Sequence, residues 1–152
     1  NIIAFKPNID ERYSKNKIVT HLGGKFPATN VKNGKEILDF FIKNKKESKN
    51  VVAVDEAFMI EGSGKAIQKI FEGGNTVLVS SLQISSDFTS YKEIQHMMPF
   101  ATKIEICPAV CSICGADAYY TEKIGGRSDH NIEVGGSEMY QPRCFNHFNK
   151  LT

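Results

Sequence analysis

Apolar residues in this chain fall into two patterns, short continuous runs and stretches at helical spacing. Ile2-Ile3-Ala4-Phe5 is a continuous run ended by Lys6-Pro7 and reads as a strand. Polar residues 8–17 read as a loop, and Ile18 and Val19 start a short strand before His21-Leu22-Gly23-Gly24. From about Gly34 to Lys46, Ile37, Leu38, Phe41 and Ile42 recur at helical spacing, with Asn33 placed as the cap. Val51-Val52-Ala53-Val54 is another continuous run and ends in Asp55-Glu56. Such runs fit strands covered on both faces, as in parallel sheets. Ile67, Ile70 and Phe71 mark a second helix stopped by Gly73-Gly74. Thr76 to Leu82 reads as a further buried strand, Ser90 to Met98 as a weaker helix before Pro99, and Ile104 to Cys107 as one more strand. Strands alternating with helices predict an α/β fold, a parallel sheet flanked by helices.

The texture changes after Pro108. Glycines stand at 115, 125, 126, 135 and 136, with cysteines at both ends of the stretch. This predicts two parts, an α/β core over 1–107 and a small metal-stabilised subdomain over 108–152. At 152 residues the chain is long enough to bury a core, and 41% apolar with 24% charged residues is ordinary for a soluble globular protein. A formal charge of +2 argues against a nucleic-acid or anionic-membrane partner. The densest cations, Lys43, Lys45, Lys46 and Lys49, follow the first helix and read as its solvated end. No run approaches the ~20 apolar residues of a membrane span, and no signal-peptide pattern is present, so a cytoplasmic protein is expected. The opening at Asn1, directly into a strand, implies sequence upstream.

Cys111-x-x-Cys114 and Cys144-x-x-His147 are two two-ligand knuckles. Each spacing lets one tight turn aim both side chains at one ion, and four N/S ligands suit tetrahedral Zn²⁺ with no position left for water. The site is therefore expected to be structural. The bland alternative is buried thiols beside a surface histidine. Cys107 is the spare cysteine, read as a buried thiol in a strand, with replacement of one ligand as the lesser reading.

Asp55 and Glu56 follow the end of a buried strand, the edge at which open α/β sheets hold ligands. In phosphotransferases an Asp there serves Mg²⁺, and a neighbouring Glu can take the proton of an attacking hydroxyl. A solvated acidic turn would produce the same string. The phosphate cradle such chemistry uses, Gly-x-x-x-x-Gly-Lys-Ser/Thr, is missing. Gly62-Ser63-Gly64-Lys65 is followed by Ala66 and has Met59 at the first glycine position, and Gly23-Gly24-Lys25 is followed by Phe26.

Taken in order, these strings resemble the zinc-containing thymidine kinases. Phe5-Lys6-Pro7 with Asp10-Glu11-Arg12-Tyr13-Ser14 is similar to the family's second strand and its Asp-x-Arg-Tyr-Ser loop, and His21 falls at a Ser-His position. Val54-Asp55-Glu56-Ala57, the Ala109–Cys114 knuckle, Tyr120-Thr121, Glu133-Val134-Gly135-Gly136 through Tyr140, and Arg143-Cys144 continue the match. The resemblance implies an upstream first strand, phosphate loop and first helix, and a C-terminal zinc-binding lasso that closes over the base. It implies Glu56 as general base on the nucleoside 5′-hydroxyl, Asp55 at the Mg²⁺ site, and Asp10 and Arg12 on the phosphate side. Thr121, Val134, Gly135, Gly136 and Tyr140 become nucleoside contacts. For Tyr140, ordinary packing against the zinc lobe is the other reading.

Some family positions differ. Phe58 and Met59 stand where the family has Gln then Phe. Gln83 replaces an Asp, and Ser86 stands where a Phe packs on the base, a role Phe88 takes if the loop is two residues longer. The chemistry residues are kept and the base pocket altered. The implied activity is ATP- and Mg²⁺-dependent phosphorylation of thymidine, with thymidine and ATP as partners, dTTP as a feedback nucleotide and a homotetramer as the assembly. The competing expectations are a nucleotide-binding relative with little or no catalysis and, against the low net charge, a zinc-ribbon nucleic-acid binder.

Overall fold

The computed structural model describes residues 1–10, 14, 16–20, 22–125 and 135–148. The described chain forms two compact units. One comprises Asn1–Leu82 with Tyr91–Ala101, and the other comprises Gln83–Ser90 with the residues from Thr102 onward.

The first unit holds β1 (Ile2–Pro7), β2 (Lys17–Val19), β3 (Lys25–Pro27), β4 (Thr29–Val31), α1 (Gly34–Asn44), β5 (Val51–Val54), α2 (Ser63–Glu72), β6 (Thr76–Val79) and α3 (Lys92–Met97). Four strands make a parallel sheet in the order β4-β1-β5-β6, while β2 and β3 form a small antiparallel pair. The register pairs Phe5 with Val54 and Val54 with Val79. Ile3, Phe5, Val52 and Val54 therefore share the face that packs on Ile37 and Phe41 of α1 and Ile67 and Ile70 of α2. The predicted α/β class, with a parallel sheet and flanking helices, is what the chain adopts.

Local chemistry sets the helix starts. Asn33 Oδ1 accepts from Glu36 N at 3.1 Å, and Glu36 reaches back to Lys32 N at 2.8 Å, so α1 begins where its cap was expected. At α2, Gly62 has φ 75°, and the Glu93 carboxylate from α3 accepts from Gly62 N and Gly64 N at 2.9 and 2.8 Å. An anion thus sits on the positive end of the helix and ties α3 to α2. The packing here is close: a Cβ on Gly34 would lie 2.1 Å from the Gly62 carbonyl oxygen.

Two sequence expectations are corrected. β6 ends at Val79 and is exposed along most of its length, at the edge of the sheet, where among the described residues only β5 pairs with it. Residues 104–107 adopt no strand, and Ile104, Ile106 and Cys107 are exposed. β-branched composition favours a strand only where a partner completes the ladder, and no described strand pairs with these residues.

At the opposite sheet end Asn50 is buried, and its side chain bonds Lys46 N, Lys46 O, Ser48 O, Asn1 Nδ2 and Asn75 Oδ1 within 2.8–3.1 Å. Asn50→Leu is expected to cost about 2 kcal/mol or more, since several polar groups lose their partner at once. Denaturant unfolding checks this; a loss under about 0.5 kcal/mol, the range of ordinary surface changes, would contradict it.

The second unit holds β7 (Ala109–Val110), β8 (Asp117–Ala118), β9 (Tyr120–Lys123) and β10 (Tyr140–Arg143), paired antiparallel as β7-β8 and β9-β10. Among the described residues, no helix is long and apolar enough to cross a membrane.

Candidate metal centre and active-site edge

The first knuckle is the β7–β8 turn. Cys111 N donates to Ala116 O at 2.8 Å and Gly115 N to Cys111 O at 2.9 Å. Gly115 sits at φ 76°, where a side chain would be strained, so the turn can fold both sulfurs to one side. The second knuckle follows β10 as a single 3₁₀ turn, with His147 N donating to Cys144 O at 3.1 Å.

The two knuckles meet. One ligand atom from each of Cys111, Cys114, Cys144 and His147 lies within 4.8 Å of all the others. Cys114 Sγ and Cys144 Sγ are 3.7 Å apart, Cys144 Sγ and His147 Nδ1 3.3 Å, and Cys111 Sγ and His147 Nδ1 3.9 Å. Zinc bond lengths set tetrahedral ligand separations of about 3.8 Å between sulfurs and about 3.5 Å between sulfur and nitrogen. The donor set and its spacing both fit Zn²⁺.

Electrostatics at the cluster also favour a cation. The Cys144 backbone N–H, opposed by burial and aided by the N–H groups of Ile113 and Cys114, pushes the Cys111 thiol down to about 5. At Cys114 the Ala116 N–H pulls down, but burial and the Cys144 and Cys111 sulfurs outweigh it, and that thiol is raised. Thiolates this close repel one another until a cation lies between them.

A polar network braces the cluster from behind. The buried Arg143 guanidinium donates through Nε to Oε2 of the partly buried Glu122 at 2.7 Å, and also donates to Ser112 Oγ. Ser112 N donates to Pro142 O at 3.2 Å. Since Ser112 follows Cys111 and Arg143 precedes Cys144, these bonds join the knuckles independently of the ligands.

The acidic pair lies at the C-terminal edge of the parallel sheet. Asp55 N donates to Phe5 O at 2.9 Å, and Ser80 Oγ donates to Asp55 Oδ1. Glu56 is left-handed at φ 48°, and a 3₁₀ turn over Ala57–Met59 follows it. Asp10 is buried just past the end of β1, with its N–H donating to Pro7 O at 3.2 Å. Asp10, Asp55 and Glu56 therefore follow the ends of two neighbouring parallel strands. Gly62-Ser63-Gly64-Lys65, the rejected phosphate-loop string, instead makes the start of α2, against Glu93.

The expected nucleoside contacts lie in the second unit. Thr121 and Tyr140 stand on paired strands, opposite Pro142 and Lys123. Gly136 O accepts from Met139 N and Tyr140 N at 3.1 and 3.0 Å. A Cβ on Gly135 would fall 2.7 Å from Met139 Sδ and 3.0 Å from Met139 Cβ, so the side chains of this turn pack closely on that glycine. Phe88 is left-handed at φ 62°, and its ring lies 5.8 Å from Tyr120 and 5.7 Å from Phe148. Arg12, Val134, His21 and Glu133 lie outside the described residues.

Sequence reading missed Ser80, the Glu122–Arg143–Ser112 network, Glu93 and the aromatic group of Tyr120, Phe145 and Phe148. Ser80 marks itself in the sequence only as a polar residue within an apolar run, and it is the strand register that ties it to Asp55. A family model described as thymidine kinase matches residues 1–148.

Proposed function

Since the chain belongs to the thymidine kinase family, we propose that it phosphorylates the 5′-hydroxyl of thymidine with ATP and Mg²⁺, giving thymidine monophosphate. Family membership supplies the coarse role, a nucleoside kinase. The observation that carries the finer reading is the carboxylate pair, Asp55 and Glu56, at the C-terminal edge of a parallel strand. Glu56 takes the proton from the 5′-hydroxyl. The bond from the 5′-oxygen to the γ-phosphorus forms, the bond from that phosphorus to the β–γ bridging oxygen breaks, and ADP leaves. Asp55 holds Mg²⁺ directly or through water, with Asp10 and Arg12 on the phosphate side. Mg²⁺, when bound with the triphosphate, neutralises charge on the phosphoryl oxygens.

In this reading residues 1–107 belong to the kinase core and 108–152 to a lasso. Thr121, Val134, Gly135, Gly136 and Tyr140 contact the nucleoside, with Phe88 against the base. Zn²⁺ on Cys111, Cys114, Cys144 and His147 is structural. A cytoplasmic homotetramer with feedback by dTTP completes the proposal.

The phosphate-loop motif is not among these residues, so the test uses the full-length protein. A panel of nucleosides is offered with ATP and Mg²⁺, and the products are separated chromatographically. Thymidine is expected to turn over fastest. Nucleotide binding without turnover of any nucleoside would overturn the enzymatic reading in favour of a binding relative.

A further inference from the structure

Ser80 joins the sheet edge in three ways. Its backbone N–H donates to Val54 O at 3.0 Å, and its carbonyl accepts from Ala57 N at 3.1 Å. Its hydroxyl donates to Asp55 Oδ1. The two backbone bonds bracket Asp55-Glu56 on both sides, one to the residue before the pair and one to the residue after it. The register explains why the side chain also reaches. Val54 pairs with Val79, so Ser80 and Asp55 are each one step beyond the last paired residues and lie level with one another. Side chains one step past a paired position share the opposite sheet face from Val54 and Val79.

We propose that Ser80 is a positioning residue that turns the Asp55 carboxylate so that Oδ2 faces the metal of a metal–nucleotide complex. This rests on the phosphotransfer reading. A carboxylate on a half-exposed strand end rotates about two side-chain bonds. A hydroxyl donor fixed by two backbone bonds holds one oxygen and so defines the direction of the other. Partners behind a metal-ligating carboxylate typically change metal affinity by roughly 10- to 100-fold when removed. The Ser80 bond is exposed, so the low end applies.

The test measures Mn²⁺ affinity by electron paramagnetic resonance, with ADP present, in full-length wild type, Ser80→Ala and Ser80→Thr. Ser80→Ala is expected to weaken Mn²⁺ binding roughly tenfold. Ser80→Thr, which keeps the hydroxyl, is expected to restore it, and the thymidine KM should not move. Wild-type affinity in Ser80→Ala would overturn the proposal, as would Ser80→Thr behaving like Ser80→Ala. If wild type itself binds no Mn²⁺ with ADP, the phosphotransfer reading falls, and the Ser80 proposal falls with it.

Discussion

Chelating the metal from the full-length protein is expected to unfold the region around Cys111, Cys114, Cys144 and His147. Hydrogen-exchange protection should vanish over Tyr120–Lys123 and Tyr140–Arg143 while the strands Ile2–Pro7 and Val51–Val54 keep theirs. The reason is how little else holds that unit. Among the described residues its buried apolar cluster is Cys111, Ala118 and Cys144, two of them ligands, and beside it stands one aromatic group of Phe88, Tyr120, Phe145 and Phe148. Structural zinc supplies about 10–16 kcal/mol of apparent binding energy in comparable small sites. That is comparable to the ~5–15 kcal/mol that stabilises a whole domain. The partly buried Arg143–Glu122 pair does not replace it, because its attraction is largely offset by desolvation. Replacing Cys114 by Ser should have the same effect, with zinc content falling from about one per chain toward zero. Protons compete with zinc for all four ligands, so acidification should release the metal as well. Native protection in a verified metal-free sample would overturn the structural role.

Glu56→Gln is expected to lower kcat by about 10²-fold or more while thymidine KM changes little. The carboxamide matches the carboxylate in size but cannot accept the hydroxyl proton. Gln meets the same left-handed backbone requirement as Glu, so the 3₁₀ turn over Ala57–Met59 should be kept. A loss in kcat and kcat/KM together marks an interaction made in the transition state, whereas a rise in KM alone marks ground-state binding. Full activity in the variant would remove Glu56 from the proton path.

Much of this was legible in the sequence because the signals are local. The β-branched run Val51–Val54 forms a central strand with Val52 and Val54 buried, and Asn33 before an amphipathic stretch caps α1. The paired knuckles were legible for the same reason: two residues per turn already point at one ion, and the only long-range step is bringing the turns together. What failed depended on neighbours. Thr76 to Leu82 carries the apolar residues Val77, Leu78, Val79 and Leu82, but the strand stops at Val79, before Ser80-Ser81, and at the sheet edge it is left exposed. Ile104 to Cys107 has strand composition and no described partner. Ser80 is visible as a site residue only through the register that sets it level with Asp55. Glu93 reaches α2 across 29 residues, a distance no local pattern reports.

The most direct test of phosphoryl transfer is a single-turnover reaction. Full-length protein, in excess over thymidine, is mixed with ATP labelled in the γ-phosphoryl group and Mg²⁺, and the product is identified by mass. The label is predicted to appear on the 5′-oxygen of thymidine, with formation slowed by about 10²-fold in Glu56→Gln. Thymidine and ATP bound together by zinc-replete wild type, with no label transferred, would contradict the assignment of Asp55 and Glu56 to phosphoryl transfer.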